Sequence, residues 1–309
     1  MISVIIKKEF IMRVFVTGAT GFVGSAIVKE LLAAGHQVLG LARSDASAAT
    51  LTKVGAEVHR GTLEDLDGLR KAASASDGVI HTAFIHDFSN IAASGVVDFH
   101  AIEAMGDALA GSNKPLVTTS GAALVAPGRL ATEDMHSDPN SPIRHRHASD
   151  EATIALASRG VRSALLRLPP TVHGDGDHGF VPMLIQIARE KGASVYQGDG
   201  ENRWPAVHRL DAAKLYRLIL EKGSAGKHYH AIAEQGVPTR QIAEMIGRRL
   251  NLPVVSKSGE QYAEHMGWLG NFFAIDCPCS SEKTRAELGW QPTHRNLIDD
   301  LEHGTYFEA

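Results

Sequence analysis

The sequence predicts a doubly wound α/β fold, a parallel sheet with helices on both faces, followed by a smaller, mostly helical C-terminal subdomain. Three observations carry this. Short apolar runs alternate with longer amphipathic segments over residues 12–169, as right-handed crossovers between parallel strands require. A glycine-spaced turn joins the first run directly to a helix. Beyond Pro169-Pro170 the alternation gives way to helical stretches.

Arg13 to Thr17 reads as the first strand. Phe22 to Ala34 follows as a helix with Val23, Ile27, Val28, Leu31 and Leu32 on one face and Gly35 as its C-terminal stop. Further strands are predicted at Gln37–Ala42, Glu57–His59, Gly78–Thr82, Pro115–Thr119 and Arg162–Arg167, with helices near 47–54, 64–75, 90–111 and 148–159 between them. The sixth strand stops at Pro169-Pro170, which cannot continue a ladder. Residues 174–179 read as loop, and 180–190, 211–222 and 238–250 as helices, with brief strands near 194–196 and 228–232. Residues 170–309 are thus assigned mainly to a substrate-facing subdomain, with a segment able to return to the sheet.

At 309 residues the chain is long enough for one large unit and a smaller one. With 44% apolar residues, 21% charged residues and a formal net charge of -4, it offers no electrostatic reason to bind nucleic acid or an anionic membrane. No apolar run approaches the ~20 residues that span a bilayer. Residues 1–11 lack a basic start and a small-residue cleavage site, so they read as an N-terminal extension and not as a secretory signal. The two cysteines, Cys277 and Cys279, are too close to pair without strain and are read as free thiols in a reducing cytosol. A small-molecule substrate, a cytoplasmic setting and a monomer or homodimer are expected, with no metal.

Thr17-Gly18-Ala19-Thr20-Gly21-Phe22-Val23-Gly24 sits between the first strand and the first helix. Gly18 permits the tight turn, Gly21 lets backbone approach a pyrophosphate, and Gly24 lets helix and strand pack closely. The helix N-terminus supplies N–H donors and partial positive charge, as in a Rossmann dinucleotide site. The second strand ends in Ala42-Arg43-Ser44 with no carboxylate for an adenosine ribose, while Arg43 and Ser44 suit a 2′-phosphate. NADP is therefore expected, with NAD the alternative.

These motifs, with those that follow, resemble the extended short-chain dehydrogenase/reductase family, which includes nucleotide-sugar epimerases and dihydroflavonol reductases. The resemblance runs from Met12 over nearly the whole chain. Gly61-Thr62-Leu63-Glu64-Asp65 is similar to the family's loop beside the adenine, with Thr62 in place of the usual Asp. Ile80-His81-Thr82-Ala83-Phe84 is similar to the segment passing the cofactor ribose, and Arg167-Leu168-Pro169-Pro170-Thr171-Val172-His173-Gly174 to the stretch beside the nicotinamide. Residues 198–211 resemble the segment before a substrate-domain helix, and 280–292 the C-terminal tail motif. The cofactor residues this implies are Gly18, Thr20, Gly21, Phe22, Val23, Gly24, Arg43, Ser44, Thr62, Leu63, Thr82, Ala83, Phe84, Pro169 and Pro170.

The family's proton-transfer pair, Tyr-x-x-x-Lys on the helix after the fifth strand, does not occur here. None of Tyr196, Tyr216, Tyr229, Tyr262 and Tyr306 has Lys four residues on. Matching Ser149 to the family's Ser puts Arg146 at the Tyr position and Asp150 at the Lys position; a shift of one residue puts His147 there instead. Arg146 cannot act as an acid near neutral pH but can polarise a carbonyl, whereas His145 and His147 can carry a proton. Ser120, Thr119 or Gly121 occupies the place of the family's catalytic Ser or Thr. His173 stands where the family often has Tyr, and His86 and His208 are further pocket candidates. The expected catalytic set is Ser120, Arg146, His147 and His173. The resemblance implies an NADP-dependent oxidoreductase acting on a small carbonyl or alcohol. The alternatives are a nucleotide-sugar epimerase or dehydratase, with Arg203 near a diphosphate, and a non-catalytic NADP(H)-binding sensor.

Overall fold

The computed structural model describes residues 11–87, 90–137, 139 and 144–308; residues 1–10 of the extension lie outside them. Twelve strands are found among the described residues: β1 (Arg13–Thr17), β2 (Gln37–Ala42), β3 (Glu57–Arg60), β4 (Gly78–His81), β5 (Pro115–Gly121), β6 (Arg162–Leu168), β7 (Thr171–His173), β8 (Ser194–Gln197), β9 (Arg203–His208), β10 (Lys227–His230), β11 (Glu234–Pro238) and β12 (Val254–Lys257). The helices are α1 (Phe22–Ala33), α2 (Asp45–Lys53), α3 (Leu66–Ser74), α4 (Ile91–Leu109), α5 (His147–Ala155), α6 (Phe180–Lys191), α7 (Arg209–Lys222), α8 (Thr239–Leu250), α9 (Gly259–Met266), α10 (Trp268–Phe273), α11 (Glu282–Leu288) and α12 (Leu297–His303).

Seven strands form a parallel sheet in the order β10-β6-β5-β4-β1-β2-β3. The period-2 alternation of each strand sends neighbouring side chains to opposite cores. Val14 and Val16 of β1 join Ile80, Val117, Ile27 and Leu215 under α1 and α7. Phe15 joins Val79, Leu116, Ile102 and Leu156 under α3, α4 and α5. Both faces are covered, which is why these strands read as continuous apolar runs. Strand order reverses between β1 and β4, and ligands of such sheets bind at the strands' carboxyl ends beside that reversal.

Beyond Pro170 the chain divides between two units. Helix α7, β10 and the fully buried Trp290 pack onto the sheet, so the segment near 228–232 does return, as its edge strand beside β6. A second core, with Trp204, Val237, Ile242 and Phe273, supports a three-stranded sheet β11-β9-β7 and a parallel pair β12-β8. Strands β7, β9, β11 and β12 and helices α9 to α12 were not expected from the sequence. Pro205 inside β9 and the irregular register of β11 between Glu234 and Val237 remove the alternation by which strands are read. Among the described residues no helix is long and apolar enough to cross a membrane.

Candidate functional site

A cleft of about 1100 Å³ runs along the carboxyl ends of β1 to β6 and under the smaller unit. Its deepest wall is the glycine turn. Gly18 sits at φ +65°, and a Cβ there would lie 2.7 Å from the backbone nitrogen of Ala83. A Cβ on Gly24 would lie 2.0 Å from the carbonyl oxygen of Gly18, so the residue is confined to glycine by packing. Gly21 is the N-cap of α1, and no side chain caps that helix. The first amide groups of a 12-residue helix therefore face the cleft, the arrangement that receives a pyrophosphate. The residues present fit a dinucleotide.

Of the predicted cofactor residues, Gly18, Thr20, Gly21, Phe22, Val23, Gly24, Arg43, Thr62, Leu63, Thr82, Ala83, Phe84, Pro169 and Pro170 line this one cleft. Ser44 does not. Its hydroxyl accepts from the Ser47 amide at 3.2 Å and caps α2, and Ser47 takes its place on the wall. Among the described residues Arg43, exposed at the end of β2, has no hydrogen bond or ion pair, whereas nearby Asp45 is engaged by Arg60.

Ser120 and Arg146 line the cleft, together with Thr119, Gly121, His86 and His145. Arg146 ends a 3-10 turn (Arg144–Arg146) and is 8% exposed. Its guanidinium lies 4.3 Å over the Phe84 ring, donates to the Thr119 carbonyl, and stands 3.5 Å from Asp98 of α4. Asp98 also accepts from His81 Nε2 at 3.1 Å, and His81 Nδ1 takes the Thr17 hydroxyl at 2.7 Å. Burial alone would raise the Asp98 carboxyl, but the charge of Arg146 and the His81 hydrogen bond bring it below the ordinary aspartate value. A buried chain Thr17–His81–Asp98–Arg146 thus runs beneath the floor. Sequence reasoning missed it because its members come from four separate segments.

Asp150 follows Arg146 by one helical turn and is buried behind Ser120. Burial pushes its carboxyl up to about 6, against the opposing pull of Ser120, Arg146 and Arg167. The Ser120 hydroxyl faces this carboxyl, and neither group is paired elsewhere among the described residues. His145 and His86 are held below the ordinary histidine value by burial first and the Arg146 charge second.

His147 and His173 do not line the cleft. Residues 146, 150 and 153 form the inward stripe of this turn and helix, which leaves His147 off it, with Nδ1 2.8 Å from the Ser137 hydroxyl. Strand β7 turns Thr171 and His173 inward, away from the cleft. His173 is fully buried, with Nδ1 2.8 Å from Asp300 of α12. His208 packs against it and lies outside the cleft wall. Arg203 is held by Asp276 at 2.9 and 3.0 Å and also lies outside the wall. Cys277 and Cys279 are separate buried thiols, each pushed up to about 12 by burial. The wall also holds Phe180, Trp268, Asn271 and Phe272 from the smaller unit, which no sequence signal marked.

Comparison with known proteins agrees with this fold. A model described as "NAD dependent epimerase/dehydratase family" matches residues 14–233. An uncharacterized protein of Schizosaccharomyces pombe is 53% identical over 297 residues, 96% of this chain and 100% of its own length. A 4-hydroxy-2-methyl-3-oxo-4-farnesyl-3,4-dihydroquinoline-1-oxide ketoreductase from Stigmatella aurantiaca is 27% identical over 94% of this chain and 96% of its own. In structure, dTDP-glucose 4,6-dehydratase from Streptomyces venezuelae, solved with NAD bound, superposes with a TM-score of 0.76 at 20% identity, covering 96% of this chain and 97% of that one.

Proposed function

The chain belongs to the NAD dependent epimerase/dehydratase family, and on that premise we propose that it is an NADP-dependent oxidoreductase that interconverts a small carbonyl compound and its alcohol. One observation carries the reading: the glycine cradle, the unpaired Arg43 and the Ser120–Arg146 wall line a single cleft. Its volume of about 1100 Å³ exceeds the roughly 300–1,000 Å³ of ordinary small-molecule pockets, leaving room for a dinucleotide and a small substrate together. Arg43 favours the 2′-phosphate of NADP over the bare ribose of NAD, since the end of β2 carries no carboxylate to accept ribose hydroxyls.

When bound, the nicotinamide supplies hydride to a carbonyl carbon or accepts it from an alcohol. The Arg146 guanidinium stabilises the oxygen as it becomes negative. Asp98 and the Thr119 carbonyl fix the guanidinium for that task. Ser120 orients the substrate oxygen. Asp150, raised to about 6, keeps about a tenth of its molecules protonated at pH 7 and delivers a proton through the Ser120 hydroxyl. In the alcohol-forming direction the substrate oxygen takes the Ser120 proton, Ser120 takes one from Asp150, and the Asp150 carboxylate is reprotonated from water.

The test is incubation of the purified protein with NADPH and a broad panel of aldehydes and ketones. Consumption of NADPH above the buffer rate, with one alcohol formed per NADPH, supports the reading. Binding of NADPH with no turnover across the panel overturns it in favour of a non-catalytic sensor.

A further inference from the structure

The substrate half of the cleft is walled by rings. Phe180 stacks on Phe272 at 5.7 Å and 28°, and Trp268 meets Phe272 edge-on at 6.4 Å. Phe84 lines the cleft beside Ser120 and Arg146, with the ring of His86 packed against it at 5.2 Å. Trp268 is 50% exposed although it borders the cleft, whereas Trp204 and Phe273 of the same unit are buried in its core. A half-exposed indole beside aromatic neighbours is apolar surface that a flat ligand would cover.

Charge along the wall is as telling. Among the described Lys, Arg, Asp and Glu residues, only Arg43, Glu64 and Arg146 line the cleft. Arg43 and Glu64 belong to the segments following β2 and β3, at the adenosine end. Arg146 is left as the one permanent charge near Ser120, and Asp98 already faces it. Burial keeps His86 and His145 below the ordinary histidine value, hence neutral at pH 7. A diphosphate bridge requires guanidinium or ammonium partners, and Arg203 is committed to Asp276 outside the wall.

We infer that the substrate is an uncharged carbonyl compound with an aromatic body, seated between Phe84 and the Phe180–Phe272–Trp268 wall, and not a nucleotide sugar or a sugar phosphate. The inference rests on the oxidoreductase reading for the chemistry performed but on the wall itself for the body recognised.

The experiment uses the full chain saturated with NADPH and four probes: 2-naphthaldehyde, 4-carboxybenzaldehyde, glyceraldehyde and UDP-glucose. The naphthaldehyde is expected to exceed the carboxylate and the polar aldehyde in kcat/KM by about thirtyfold, because an unpaired charge or hydroxyl loses its water in this site. Trp268→Ala is expected to raise KM for the naphthaldehyde about tenfold and to leave NADPH binding unchanged. Equal or better turnover of glyceraldehyde or the carboxylate, or calorimetric binding of UDP-glucose, overturns the inference. If no probe is reduced, the oxidoreductase reading falls and acetophenone decides the binding question. Saturable quenching of indole fluorescence in the wild-type protein, lost in Trp268→Ala, upholds the aromatic class, and absence of quenching in the wild type overturns it.

Discussion

Arg146 Nη2 stands 3.5 Å from Asp98 Oδ1 across the floor of the cleft, and the carboxylate is 1% exposed. The counter-charge of the cation is supplied from α4, on the far side of the turn. Such a pair holds its geometry only while both members are present, since either alone is a buried, uncompensated charge.

Asp98→Ala is accordingly expected to destabilise the protein by about 3 kcal/mol or more, lowering the melting temperature by roughly 6 °C. Arg146→Met in the same background should recover part of that loss. Thermal unfolding of the two single variants and the double variant checks this, and strictly additive effects would show that the residues are not coupled.

Gly24→Ala places a Cβ 2.0 Å from the Gly18 carbonyl oxygen and forces the helix off the turn. Loss of NADPH affinity by about a hundredfold or more is expected, because the α1 amides can no longer reach the pyrophosphate. Calorimetric titration giving a Kd within about twofold of wild type would remove the phosphate role assigned to this turn.

Arg43→Ala should weaken NADPH about ten- to a hundredfold while leaving NADH nearly untouched, since one charge-assisted contact to the 2′-phosphate is lost. Equal effects on both cofactors, or similar affinities for the two in the wild type, would argue for NAD.

Asp150 sets the pH dependence. Its carboxyl is raised to about 6, so the acid form needed for carbonyl reduction is lost as pH rises through 6, and kcat should fall up to about tenfold per unit above it. Asp150→Asn should flatten that limb and lower kcat by about a hundredfold or more. Stability follows the same sign. Below the ordinary aspartate value the acid is neutral in both folded and unfolded chains, whereas between that value and 6 the unfolded chain ionises first. Roughly 3 kcal/mol of stability is lost across that window. The melting temperature of Asp150→Asn relative to wild type is therefore expected to rise between pH 4 and pH 7, and a constant difference would contradict the raised carboxyl.

The alternation of Val14, Phe15 and Val16, the spacing of Gly18, Gly21 and Gly24, and the stop at Pro169-Pro170 are local signals. They made the sheet, the first five helices and the dinucleotide cradle legible in the sequence, because hydrophobic period and turn chemistry act over a few residues. Arg43 and Ser120 line the cleft in the same way, at the ends of β2 and β5.

Other features depended on contacts between distant segments. Nothing local to Arg146 names Asp98, and nothing local to Phe84 names Trp268. His173 looked like a site residue until β7 turned it toward Asp300, 127 positions later in the chain. Ser44 and Arg43 are adjacent, yet one caps a helix and the other lines the cleft. The sequence by itself determined the parallel sheet and the glycine turn between its first strand and first helix. Only the tertiary structure decided which charge holds Arg146 and which rings close the substrate side, because these depend on how sheet, helices and the smaller unit pack, at separations over which local periodicity carries no information.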